Sequence, residues 1–256
     1  MKKLLLALLI VGLFATAAFA ADQKKIEPDQ QFYLANNYYQ KGDYIKAIEE
    51  YLKIMDAGIE SGSLYYNIGN SFLKMGRAGY AILCYEKARR IIPRDADLKA
   101  NLEYAKTLAA DTTDETASGN IAARIIKRPF REFNLNAIAI LAAVIYCIVI
   151  VLTALFIMSP IIARKLRVLY VVALATFTMS LAAFGIRFYD EKVLKHGIVV
   201  VKEAEAKYEP IDKSTTYYKL REGSNVVILS TRDGWRQVKR YDGKTAWVNK
   251  NAVEEI

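Results

Sequence analysis

Apolar residues follow three rhythms in turn along this chain. In the first part they recur at helical spacing and predict helices at about 29–40, 44–56, 62–74, 77–91 and 95–110, the first four as two pairs joined by short turns. Two uncharged runs follow, Ala137–Met158 and Val168–Ile186. At about 1.5 Å per residue, either can cross a hydrocarbon core of about 30 Å. From residue 197 the pattern becomes strand-like. Ile198–Lys202 and Val226–Leu229 are β-branched runs, and Asp233-Gly234 and Asp242-Gly243 are hairpin signals.

The paired helices repeat. Tyr38/Phe72, Gly42/Gly76, Ala47/Ala81 and Tyr51/Tyr85 all recur at one constant spacing. A helix-turn-helix period of about 34 residues resembles the tetratricopeptide repeat. Gly42 and Gly76 sit where the turn needs a residue free to take positive φ. Ala47 and Ala81 let the second helix approach the first, and Pro93 follows a helix it could not continue. The helix from about Asp95 to Ala110, with Leu98, Leu102, Ala105 and Leu108 on one side, is expected to cover the open end of the array.

Such repeats bind peptides or proteins on the surface of their first helices. Here those helices offer Phe32, Asn36, Tyr39, Tyr66, Asn67, Asn70, Asn101 and Tyr104 as candidate partner-binding residues. Asparagine amides can bond both ways to an extended backbone, and tyrosine adds apolar area with a polar tip. Asn36 and Asn67 resemble the asparagine pair that clamps a terminal carboxylate in some of these domains. The cationic partners of that clamp are replaced by Phe32, Asp97 and Asn101. The alternative is that the asparagines cap or bridge helices.

Charge and hydropathy together give an address. Lys2-Lys3, an apolar run from Leu4 to Phe14 and Ala18-Phe19-Ala20 form a secretory signal over residues 1–20. Arg164, Lys165 and Arg167 place a short basic linker, 159–167, on the cytoplasmic side. The helical repeats (28–110) and the C-terminal domain (197–256) are then both expected on the periplasmic side of a bacterial inner membrane, joined by spans at 135–158 and 168–186. The segment 111–134 carries Arg124, Lys127, Arg128 and Arg131, a cluster suited to phospholipid headgroups. Ala139/Ala143 and Thr176/Ser180 offer small-residue faces for helix contact. Basic groups that flank apolar stretches argue for membrane lipid as a partner and against nucleic acid.

Catalytic chemistry has little to stand on. The spans hold no ionisable residue, which argues against an ion pathway. Cys84 and Cys147 lie in unlike segments and make no disulfide framework. His196 is the one histidine, so neither a Cys/His pair nor a metal cluster is legible. No enzyme activity, cofactor or metal is expected.

In the C-terminal segment, the order Leu220-x-x-Gly223, Val226–Leu229, Gly234-Trp235, Val238, Gly243, Trp247-Val248 resembles a bacterial SH3 barrel, with Ala246 where that family usually has glycine. Trp235 and Trp247 are expected in its core. The fold class is therefore multidomain: all-α repeats, a two-helix transmembrane hairpin and a small all-β barrel. This layout, with Gly79-Tyr80-Ala81-Ile82-Leu83, Tyr85-Glu86-Lys87-Ala88, Pro93-Arg94-Asp95 and Asn101-Leu102, resembles the E-type protein of bacterial aerotolerance (Bat) operons. The resemblance implies a membrane-anchored scaffold in a stress-related complex, with von Willebrand A-type membrane proteins as partners. The alternative is a sensor whose SH3 domain binds peptidoglycan.

Overall fold

A computed structural model describes residues 29–109, 133–158 and 160–256. The secretory segment 1–20 and the basic cluster at 124–131 lie outside the described residues. The chain is a mixed helix and sheet protein that divides into two units. One is a helical hairpin. The other combines residues that precede that hairpin with residues that follow it.

Seven helices are described: α1 (Asp29–Gln40), α2 (Tyr44–Asp56), α3 (Gly62–Lys74), α4 (Ala78–Ile91), α5 (Ala96–Leu108), α6 (Leu135–Met158) and α7 (Pro160–Phe188). The turns between α1 and α2 and between α3 and α4 are the same structure. Gly42 and Gly76 take φ of +79° and +71°. Gly42 N–H donates to the Tyr39 carbonyl and Asp43 N–H to that of Tyr38; one period on, Gly76 donates to Leu73 and Arg77 to Phe72. This paired closure satisfies carbonyls that a helix end leaves orphaned, and it needs the left-handed conformation that glycine adopts most easily.

The helical core lies between the helices of each pair and between neighbouring pairs. Ala47, Tyr51, Ala81 and Tyr85 are at most 1% exposed. On α5 the buried stripe runs Leu98, Leu102, Ala105 and on to Ala109, while Leu108 is 52% exposed. Steps of four, three and four along the chain follow one helix face. Leu108 falls beside that face, so the expected stripe is corrected at its last position.

The sheet has seven strands: β1 (Lys195–Val199), β2 (Glu203–Lys207), β3 (Thr216–Arg221), β4 (Asn225–Arg232), β5 (Trp235–Lys239), β6 (Thr245–Asn249) and β7 (Val253–Glu255). Their order is β3-β2-β6-β5-β4-β1-β7, and all pairs are antiparallel. Asp233 and Gly234 both have positive φ in the β4–β5 turn, the geometry that matches the twist of a two-residue hairpin. The inner face buries Val226, Val238, Ala246 and Val248.

The two tryptophans stand elsewhere. Trp235 opposes Asn249 and Gln237 opposes Trp247, while Val238 pairs with Ala246 one step along. Because side chains alternate across a strand, Trp235 and Trp247 share the outer face and the valines the inner. Both tryptophans are partly exposed and absent from the buried cluster. The expectation that they hold the core is therefore corrected.

Helices α6 and α7 are each long and apolar enough to cross a membrane. They pack as a hairpin through Tyr146 against Phe177 (ring centroids 5.6 Å apart) and Phe156 against Tyr170 (4.8 Å). Of the small residues expected at their seam, Ser180 is buried and Thr176 exposed. The expected linker 159–167 is mostly helix, since α7 begins at Pro160. Proline suits a first helical position, where its missing N–H leaves nothing unsatisfied.

Candidate binding groove

The candidate residues come from the first helix of each pair and from α5. Their arrangement is a network repeated with the sequence period. In the first copy, Tyr51 Oη on α2 donates to Asn36 Oδ1 at 2.6 Å, and Asn67 Nδ2 approaches the same oxygen at 3.4 Å. In the second, Tyr85 Oη on α4 donates to Asn70 Oδ1 at 2.7 Å, and Asn101 Nδ2 reaches that oxygen at 3.0 Å. The aromatic neighbours repeat too. Phe32 tilts against Tyr51 (5.7 Å) and Tyr66 against Tyr85 (5.9 Å). Asn101 Nδ2 also donates to Tyr66 Oη at 2.9 Å.

The network has a buried foot and an accessible head. Tyr51 and Tyr85 are 1% and 0% exposed, whereas the four asparagines are only partly buried. Burial disfavours the phenolate. It pushes the Tyr51 hydroxyl up to about 12 and the Tyr85 hydroxyl further in the same direction. Both remain neutral donors across the physiological range. Gly69 makes room for the second copy, since a Cβ there would sit 2.6 Å from Tyr85 Cε1.

Half of each amide is left over. The oxygens of Asn36 and Asn70 are used twice, and the nitrogens of Asn67 and Asn101 donate across to the first helix of the preceding pair. Asn36 Nδ2, Asn70 Nδ2, Asn67 Oδ1 and Asn101 Oδ1 form no hydrogen bond with the described residues, and none of them is buried without a partner. Two donors and two acceptors thus face solvent, with the repeat setting their spacing. The asparagines thus bridge helices, the alternative left open at the sequence level, and each keeps half of its amide unused by the described residues.

The other candidates are less tightly held. Tyr39 packs edge-on against Tyr44 at 5.4 Å, and burial raises its hydroxyl pKa. Tyr104 is 57% exposed. It stands one period after Asn70, where a third copy would have its asparagine, and the described residues supply no tyrosine to hold it. Sequence reasoning missed the orienting role of Tyr51 and Tyr85, although their periodic spacing was legible. A small buried side chain and a buried hydrogen-bonding one both keep the period, and only the fold tells them apart.

The electrostatics of this region are nearly closed on themselves. Buried Glu50 pairs with Lys53 at 2.7 Å and accepts from Gln31. Buried Glu86 pairs with Arg89 on its own helix and with Lys106 on α5 at 3.6 Å. Among the described residues, no group of His, Cys, Asp and Glu could hold a metal ion. Cys84 is a packed thiol that burial pushes up to about 12.

The sheet carries a second surface. Tyr208 and Tyr217 stack at 4.5 Å and are 58% and 39% exposed. The Arg240 guanidinium lies between the Tyr218 ring (4.7 Å) and the Tyr241 ring (5.4 Å). On the tryptophan side, a shallow cleft is lined by Trp235, Glu203, Glu205, Lys207 and Asn249.

No family model matches the chain, and no curated protein matches it either. One solved structure with a partial likeness, titled as that of NlpC1 from Trichomonas vaginalis, is 22% identical over 25% of this chain and 24% of its own length. The TM-score of that superposition is 0.23, too low to carry a structural argument.

Proposed function

We propose that this chain is a membrane-anchored scaffold whose helical pairs, read as tetratricopeptide repeats, hold an extended segment of a partner protein. The observation that supports this most is the repeated network, which leaves Asn36 and Asn70 as donors and Asn67 and Asn101 as acceptors at solvent. A peptide backbone offers complementary groups along its whole length. With Phe32, Asp97 and Asn101 in place of clamp cations, the fitting ligand is an internal segment rather than a charged C-terminus. The secretory signal and the basic start of α7 support a periplasmic position for the groove and for the barrel, read as SH3-like. By the resemblance to the Bat E-type protein, the partners are membrane-anchored von Willebrand A-type proteins.

Crosslinking in native membranes, followed by identification of the captured partner, supplies the ligand for the test. Asn67→Ala removes a free acceptor and only the longest bond of the network. It should weaken capture up to about tenfold, for a lost hydrogen bond of roughly 0.5–1.5 kcal/mol. Unchanged affinity would remove the groove from the interaction.

The exposed Tyr208/Tyr217 stack favours a second reading, in which the barrel binds cell-wall glycan peptide. Co-sedimentation of the full chain with purified peptidoglycan, lost in Tyr217→Ala and kept in Asn67→Ala, would establish it instead.

A further inference from the structure

The second helix of each pair begins differently. Asp43 caps α2, accepting from Lys46 N–H at 3.3 Å. The residue one period on is Arg77, which gives α4 no side-chain cap. The missing acceptor comes from the barrel. Glu222, 4% exposed, accepts from Gly79 N–H at 2.8 Å through Oε1, while its Oε2 pairs with Lys202 Nζ at 2.5 Å. A carboxylate at a helix N-terminus satisfies an orphan donor and opposes the helix dipole.

The surfaces around this bond are closed. A Cβ on Gly79 would lie 2.8 Å from the Val199 carbonyl oxygen and 2.9 Å from Val200 Cα, so the two backbones touch. Val199 joins the barrel core, whereas Ile198 and Val200 on either side join the core of α4 and α5. At the far end of α4, Arg90 Nη1 donates to the Ile256 carbonyl at 2.9 Å.

We infer that the helical pairs and the barrel are one domain interrupted in sequence by the membrane hairpin, with the barrel acting as the cap that keeps α4 closed. Two consequences follow. Both parts occupy the same side of the membrane, because a shared core cannot form across it. And α4 is incompletely capped until the C-terminal strands arrive, so the array reaches its final stability only after both spans are in place.

Cys84 gives a readout. It lies on α4, 7% exposed, in the core shared with the first pair rather than against the barrel. Its reaction with a maleimide therefore reports opening of α4, not mere removal of a cover. In the full chain, in detergent and on a Cys147→Ser background, Gly79→Ala and Glu222→Ala should each raise the labelling rate at least about tenfold. Glu222→Gln, which keeps an oxygen acceptor, should raise it less than Glu222→Ala. Should Gly79→Ala fail to accumulate, Arg90→Ala carries the same test with a rise of a few-fold. Labelling within twofold of the parent in Glu222→Ala, or in Arg90→Ala where that stands in, would overturn the inference.

Discussion

Replacing Asn70 with alanine should destabilise the helical pairs more than deleting the tyrosine hydroxyl it serves. Tyr85 Oη is buried and donates to Asn70 Oδ1 at 2.7 Å. In Asn70→Ala that hydroxyl is stranded away from water, at a cost of about 1–3 kcal/mol. In Tyr85→Phe the donor itself is gone, and Asn70 Oδ1 still accepts from Asn101 at 3.0 Å. The loss is then one net hydrogen bond, about 1 kcal/mol. For a domain of this size each kcal/mol moves Tm by about 2–4 °C. At the middle of its range, about 2 kcal/mol, Asn70→Ala should therefore lower it by about 4–8 °C, and Tyr85→Phe by about 2–4 °C. The double variant has no stranded hydroxyl and should be no less stable than Asn70→Ala alone. Thermal unfolding of the full chain in detergent, followed by circular dichroism, closes this cycle. A double variant whose loss equals the sum of the singles would refute the coupling and leave Asn70 a surface residue only. The same reasoning makes Asn67 the better probe of ligand binding, since it strands no tyrosine.

Two further outcomes are expected. Arg240 hydrogen-bonds Asp242 through Nε and Nη2 and holds its carboxyl at about 2, below its ordinary value. A depressed carboxyl stabilises the fold above its unfolded pKa. Stability in denaturant titrations should fall between about pH 4 and about pH 2, and Asp242→Asn should flatten that slope; an unchanged slope would mean the pair does not govern it. Separately, cysteines placed at exposed Tyr104 and Tyr208, with both native cysteines changed to serine, should both react with an impermeant maleimide in spheroplasts. Reaction at one position only would contradict a single domain on one side of the membrane.

Much of the local structure could be read without coordinates. The turns at Gly42 and Gly76 and the hairpin at Asp233-Gly234 depend on φ preferences of the residues that form them, so composition and spacing were enough. The helix bounds followed from apolar stripes for the same reason. Three readings failed for want of context. Leu108 continued the helical rhythm and yet fell outside the stripe once Ala109 took the inner position. Trp235 and Trp247 are large and apolar, but strand register put them on the outer face, and register is a property of the paired strands rather than of either one. The linker at 159–167 looked like a loop because proline and charge punctuate it, although proline is compatible with a helix start.

The sequence by itself determined the period, the turn positions and the two membrane-length helices, because each rests on interactions within a few residues. The tertiary structure alone decided what the repeated positions do. Tyr51 and Tyr85 became supports for Asn36 and Asn70 only when two helices met. Gly79 and Glu222 are 143 positions apart and became one contact only when the sheet packed on α4. The run Ile198-Val199-Val200 held a trace of that event. A strand that is apolar at three successive positions must bury both faces, and the second burial partner was a helix encoded on the other side of the helical hairpin. Contacts between residues so far apart leave their chemistry in the sequence and their meaning in the fold.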